Sequence, residues 1–204
     1  MNDNNFKVRK IIEYDISELV NIHCATFKSF FLTELGEEFL SVYYTAFCKS
    51  NQGIILGCFE NDKLIGFCAG AEKSSGFNLG LIIGNFFAFA VQGLKLLFTN
   101  INALVRLYNN LKKANDKIKD DGQYAELFSI AVSPLKQNSG IGKLLLEELE
   151  YELKQRKCNE LSLTTDYDNN ENTLKFYNKM GYKVKYEFET YPERKMYRLI
   201  KQLQ

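Results

Sequence analysis

The sequence predicts a mixed α/β domain built around one sheet. Three observations point that way. Short β-branched and apolar runs alternate with amphipathic stretches of helical period, the second half keeps that alternation without a break, and no internal repeat or low-complexity tract divides the chain. With 204 residues, 46% of them apolar, the simplest organisation is one domain spanning 1–204 with a sizeable core.

The elements run in order along the chain. "FKVRKII" (6–12) reads as a first strand, and "YDISELVNIHCATF" repeats apolar residues at helical spacing, with Asp15 or Ser17 available as its cap. "LGEEFLSVYYTAFCKS" (35–50) is a second helix whose apolar face is Phe39, Leu40, Tyr43, Tyr44 and Phe47. "GIILGCFE" and "KLIGFCAGAE" flank "NDK" and form a hairpin, in which Cys58 falls opposite about position 65. Further on, "YAELFSIAVS" (124–133) is a strand and "GIGKLLLEELEYELKQRK" (140–157) a helix with Leu144, Leu145, Leu149 and Leu153 inward. A strand (158–166), a short helix (169–180) stopped by Gly181, and the strands "YKVKYEFET" and "RKMYRLIK" complete the chain.

Residues 77–112 interrupt this rhythm. "FNLGLIIGNFFAFAVQGLKLLF" carries Lys95 as its only charge and is about the length of a membrane span. Asn78, Asn85, Gln92 and three glycines interrupt it, and a span here would cut a folded domain in two. A helical insertion packed on the domain is the preferred reading, a dimer or lid surface the next, and membrane contact the least favoured. "NNLKKANDKIKDDGQ" (109–123) reads as a polar connector.

Composition excludes several function classes. A net charge of +1 offers no electrostatic case for nucleic acid. The five cysteines (24, 48, 58, 68 and 158) show no C-x-x-C spacing, and with one histidine no metal site is expected. Reduced thiols and an N-terminus without a signal-peptide pattern suggest the cytoplasm.

Chemistry concentrates in "SIAVSPLKQNSGIGKLLLEELE" (129–150), a strand, a glycine loop and a helix start. Glycines let backbone approach an anion, and the unpaired N–H groups of a first helical turn point at it. A P-loop would need a hydroxyl where Leu144 stands and glycine where Gln137 stands; a dinucleotide fingerprint would need a small residue at Leu145. What remains is Q-x-x-G-x-G.

That loop, followed by "NENTLKFYNKMGY", resembles the GNAT superfamily of N-acetyltransferases. The first stretch is similar to its acyl-CoA signature [RQ]-x-x-G-x-[GA], and the second to N-x-x-A-x-x-x-Y-x-x-x-G-[FY], filled by Asn170, Thr173, Tyr177, Gly181 and Tyr182, with threonine in place of alanine. The likeness covers roughly 53–75 and 122–200, with the insertion outside it. The resemblance implies a central mixed, mostly antiparallel twisted sheet flanked by helices, and acetyl-CoA as co-substrate. It implies that Gln137, Asn138, Ser139, Gly140, Ile141, Gly142 and Lys143 hold the pyrophosphate. The pantetheine arm would lie along Ile130 and Val132, on a fourth strand that splays from the fifth, with Asn170 opposite.

The same resemblance puts Tyr177 at the general-acid position, where a protonated phenol can supply the departing sulfur. Glu126 stands where some members carry a catalytic glutamate. Strict strand alternation would set it among Phe128, Ile130 and Val132, apolar company that suits a proton acceptor. His23, with an ordinary value near pH 6.5, is the other candidate. "FLTELGEEFL" resembles a subset of bacterial members, some associated with surface sugars; there Phe30, Phe31 and Leu32 either roof an acceptor pocket or serve the core.

The expected function is direct acetyl transfer to a primary amine of a small molecule, an amino sugar among the candidates, in a monomer or a homodimer. A non-catalytic acyl-CoA-binding module docking a partner or membrane through 77–110 is an alternative class, and protein acetylation a third, resting on Glu126.

Overall fold

The computed structural model describes residues 6–28, 30–113, 120–190 and 193–203. Seven strands form one sheet in the order β1-β2-β3-β4-β5-β7-β6. They are β1 (Lys7–Lys10), β2 (Gly53–Glu60), β3 (Lys63–Ala71), β4 (Ala125–Val132), β5 (Glu160–Asp166), β6 (Lys183–Thr190) and β7 (Arg194–Gln202). Every neighbouring pair is antiparallel except β4 with β5. The sheet is thus mixed and mostly antiparallel, as the family resemblance implies.

Local chemistry explains the hairpin of β2 and β3. Asn61 and Asp62 both sit at positive φ, 50° and 61°, the tight two-residue turn that Asn and Asp tolerate and that matches strand twist. Cys58 pairs with Gly66, one residue beyond the expected partner, because Phe59 pairs with Leu64 and Ile65 is an extra residue in β3, a bulge. All five cysteines are free, with Cys58 and Cys68 buried.

Helices cover both faces. On one lie α1 (Ile16–Thr26), α2 (Phe31–Glu34), α3 (Glu37–Lys49) and the inserted α4 (Phe77–Gly84), α5 (Phe86–Thr99) and α6 (Ile101–Lys113). On the other lie α7 (Ile141–Gln155) and α8 (Glu171–Lys179). The five predicted inward residues of α3 are all buried. In α7, Leu145, Leu149 and Leu153 are sealed in the core together with Leu146, while Leu144 is half-buried. Each fully buried leucine contributes roughly 1.5–3 kcal/mol.

Three expectations change. Asp15 precedes α1 without capping it; its carboxylate accepts from Arg9, at 2.6 and 2.9 Å, and from the Ile12 N–H at 3.0 Å, pinning the helix entrance to β1. Residues 31–34 form a helical turn that periodicity is too short to show. Helix α6 takes up the start of the predicted connector; 114–119 lie outside the described residues, and Asp120 anchors the approach to β4 by accepting from Tyr124 and Tyr186.

The insertion is helical as predicted, and α4 meets α5 at an angle of 94°. Phe77, Leu81, Phe89, Leu96 and Ala103 turn inward. Among the described residues no helix is long and apolar enough to cross a membrane.

Candidate active site

The site begins with an irregularity in β4. Opposite β3, Ala69 pairs with Ser129 and Gly70 with Leu127, so Phe128 is an extra residue, a bulge. A bulge bends its strand. On the other edge β4 pairs with β5 only across Ala125–Leu127 and Leu161–Leu163. Beyond Leu127 both strands continue, to Val132 and Asp166, without pairing to each other. The strands splay at the bulge, leaving a backbone edge open to an extended ligand.

The bulge also revises the predicted company of Glu126. Phe128 packs with the α1–α3 core, and Ser129 reaches α3, whereas Ile130 and Val132 pack with the α7–α8 core. Strict alternation fails by one residue, so Glu126 shares its face with Phe128 and not with Ile130 and Val132. Ile130 and Val132 therefore lie on the side of the glycine loop.

That loop has the geometry of an anion seat. Gly140 (φ 83°) sits in the left-handed region, where a side chain would be strained, and Asn138 (φ 61°) shares it. A Cβ on Gly142 would meet only Val132, at 4.0 Å, so the space above the backbone is open. No side chain caps α7, and its first bond back to the loop runs from the Leu144 N–H to the Gly140 carbonyl, at 3.0 Å. The N–H groups of Ile141, Gly142 and Lys143 belong to that uncapped first turn, with the positive end of the helix dipole behind them. Gln137, Asn138 and Ser139 are exposed, Ser139 bonding back to the Lys136 carbonyl. The exposed Lys143 ammonium lies 3.7 Å from Glu147, one turn on.

Tyr177 projects from α8 into the same core, 6% exposed, against Phe176 and Tyr182. Burial, with a smaller effect of nearby Cys68, pushes its hydroxyl well above the usual phenol range. Cys68 pairs with Ile130 across the sheet, which sets Tyr177 close to the splay. Asn170, just before α8, donates from its amide nitrogen to Thr165 Oγ1 (2.6 Å) and to the Asp166 carbonyl (2.7 Å), both at the end of β5. Its oxygen remains as an acceptor.

On the opposite face the expected apolar setting of Glu126 is replaced by a polar one. Its carboxylate accepts from Arg198 at 2.7 Å and from the Ser74 hydroxyl, and Arg198 also reaches Ser162 at 3.3 Å. Farther along, Arg194 grips Asp166, one bond being 2.7 Å, and its guanidinium lies 4.7 Å from the centre of the Phe30 ring. Phe30 is 39% exposed, so part of its ring meets solvent. Phe31 and Leu32 are half-buried against the core, and Phe31 meets Arg106. The first of the three thus stands near the splay's outer end, and the other two lean on the core from partly exposed positions.

His23 is buried. Its Nδ1 lies 2.8 Å from the Tyr44 hydroxyl, which donates to Ser129 at 3.3 Å. The other ring nitrogen, Nε2, is buried with no hydrogen-bond partner among the described residues. Burial lowers the imidazole to about 4, not the expected 6.5, so it is neutral at pH 7. Nothing in the sequence singles out Arg198, Ser74, Tyr44, Ser129 or Arg194 as parts of a site: their partners lie far away in the chain and no local motif marks them. Among the described residues, no three His, Cys, Asp or Glu side chains are placed to hold a metal.

The site thus combines an open edge between two parallel strands, a glycine-opened helix start on one face and charged pairs on the other, and the class is that of an acyltransferase. The acetyltransferase (GNAT) family matches residues 16–182, and the chain belongs to that family. No curated protein matches it. Among solved structures, the ribosomal-protein-S18-alanine N-acetyltransferase of Escherichia coli superposes with a TM-score of 0.62 at 15% identity, over 98% of this chain and 94% of that one. The PaiA N-acetyltransferase of Thermoplasma acidophilum, a complex with coenzyme A, gives 0.58 at 18% identity, over 97% and 98%. An aminoglycoside 6'-acetyltransferase of type Ii gives 0.63 at 14% identity, over 97% of each chain.

Proposed function

We propose that the protein transfers acetyl from acetyl-CoA directly to the primary amine of a small molecule. The observation that carries this reading is the splay of β4 from β5 beside the open N-terminus of α7. The residues fit the co-substrate: anionic phosphates suit the N–H groups at 138–143, and the amides of an extended arm suit the free edge at Ile130 and Val132. The Asn170 oxygen would accept from one of those amides. When bound, acetyl-CoA supplies an activated thioester.

The chain's residues supply the proton handling. Direct transfer forms a C–N bond and breaks a C–S bond; the amine gives up a proton and the departing sulfur takes one. Tyr177, held firmly in its protonated form by burial, is the donor to sulfur. Glu126 is the group assigned to take the amine proton, with the Ser74 hydroxyl able to pass it on. His23 is a positioning residue that fixes Ser129, and with it the bulge, through Tyr44.

The acceptor favoured is an amino sugar. The exposed Phe30 ring beside Arg194 and Asp166, with Tyr167 stacked on Tyr197 at 4.8 Å, alternates flat aromatic and hydrogen-bonding surface, which suits a hydroxylated ring bearing an ammonium. The test is titration with acetyl-CoA and free CoA, followed by a screen of amines for CoA release. Saturable binding of both, and turnover with amino sugars above simple alkyl amines, is the expected result. Absence of CoA binding would refute the enzyme reading, and turnover confined to peptide amines would refute the acceptor.

A further inference from the structure

The outward face of the insertion reverses the usual pattern of a surface helix, whose charged side faces water. Ile83 on α4, Phe86, Phe87, Leu94 and Phe98 on α5, and Tyr108 on α6 all point outward, Phe87 at 85% exposure and Phe98 at 89%. Two charged side chains of the insertion are paired with the domain at its margin: Lys95 with Glu38 of α3, an exposed pair, and Arg106 with Glu34 of α2 at 2.6 Å. No aspartate or glutamate occurs from 77 to 113, and α6 ends on Lys112 and Lys113.

The polar groups at both helix breaks bond to the protein's own backbone. Asn85 donates to the Leu81 carbonyl at 3.0 Å and Thr99 to the Lys95 carbonyl at 2.9 Å; the Asn100 oxygen accepts from the Ala103 N–H at 3.1 Å. A protein partner is ordinarily met by about one hydrogen bond per 100–200 Å² of interface. A hydrocarbon environment demands the contrary, that backbone polar groups be satisfied from within. The α4–α5 pair also has the composition of a membrane segment, yet its 94° bend suits helices lying on a bilayer, not across it.

We propose that α4–α6, which carry no aspartate or glutamate, dock the protein on an anionic lipid bilayer, with Phe87 and Phe98 entering the acyl boundary. The chain contains no tryptophan, so Phe98→Trp gives a single reporter at this face. The full-length variant, mixed with phosphatidylcholine–phosphatidylglycerol vesicles, is expected to shift its emission to the blue and to float with the vesicles. Phe87→Asp combined with Phe98→Asp should lower partitioning at least ~10-fold while acetyl-CoA affinity and the melting temperature stay at wild-type values.

Failure of the wild-type chain to float would overturn the proposal, as would flotation undiminished in the double variant. So would a self-associated wild type that ignores vesicles and becomes monomeric on the same substitutions, which would assign the face to a second copy. None of these outcomes depends on the acceptor, and CoA binding is read separately.

Discussion

Arg198 and Glu126 hold each other across two strands that are not neighbours in the sheet, 2.7 Å apart and with little of either side chain exposed. Removing one partner of such a pair leaves an uncompensated charge, at a cost of about 3–5 kcal/mol. Arg198→Met should therefore destabilise the fold strongly in urea unfolding, and adding Glu126→Gln should recover much of the loss. Glu126→Gln alone should depress kcat with CoA affinity kept. Equal stability of Arg198→Met and wild type would show the pair to be solvated.

Gly142→Asp separates folding from binding. A carboxylate in the first turn of α7 is favourable to the helix by about 0.3–1 kcal/mol, yet it faces the phosphates the loop would hold. The expected outcome is an unchanged or slightly raised melting temperature with CoA affinity reduced by more than ~10-fold, a loss above about 1.4 kcal/mol. Unchanged affinity would remove the loop from the site.

Tyr177→Phe removes only the hydroxyl and keeps the ring that packs against Phe176 and Tyr182. The variant should melt within a few degrees of wild type and bind CoA normally. Single-turnover measurement should find the transfer step slowed ~10²-fold or more. A wild-type rate would show the tyrosine to be packing only.

His23 makes stability depend on pH. Its folded value of about 4 lies below the ordinary 6.5, so the unfolded chain binds the extra proton. The stabilisation is complete above pH 6.5 and is lost progressively as pH falls towards 4, at most about 3 kcal/mol. Urea midpoints should fall between pH 7 and pH 5 in the wild type, and His23→Phe should flatten that part of the slope. Parallel curves would mean that the imidazole is hydrated.

Much of this architecture is legible in local chemistry. The Asn61–Asp62 turn, the leucine face of α7 and the left-handed Gly140 each depend on residues close together in sequence, where spacing carries the physics. The bulge at Phe128 does not: nothing in "YAELFSIAV" marks an extra residue, and one slip reassigns every side chain after it. Arg198 is likewise unreadable as the partner of Glu126, 72 residues away, until the sheet brings them together. The insertion shows a third limit. Apolar content foretells helices, but with apolar residues on both sides it does not show that Phe89 and Leu96 turn to the domain while Phe87 and Phe98 turn away.

The short ladder between β4 and β5 has a mechanical meaning. The sheet resembles two covers joined along a narrow spine, β1–β4 on one side and β5–β7 on the other, with the Glu126–Arg198 pair as a stitch between them. An extended molecule laid in the gap would become a second line of stitching. Any compound that fills it should stiffen the whole protein, raising its resistance to heat and proteases in proportion to affinity, whether or not it reacts.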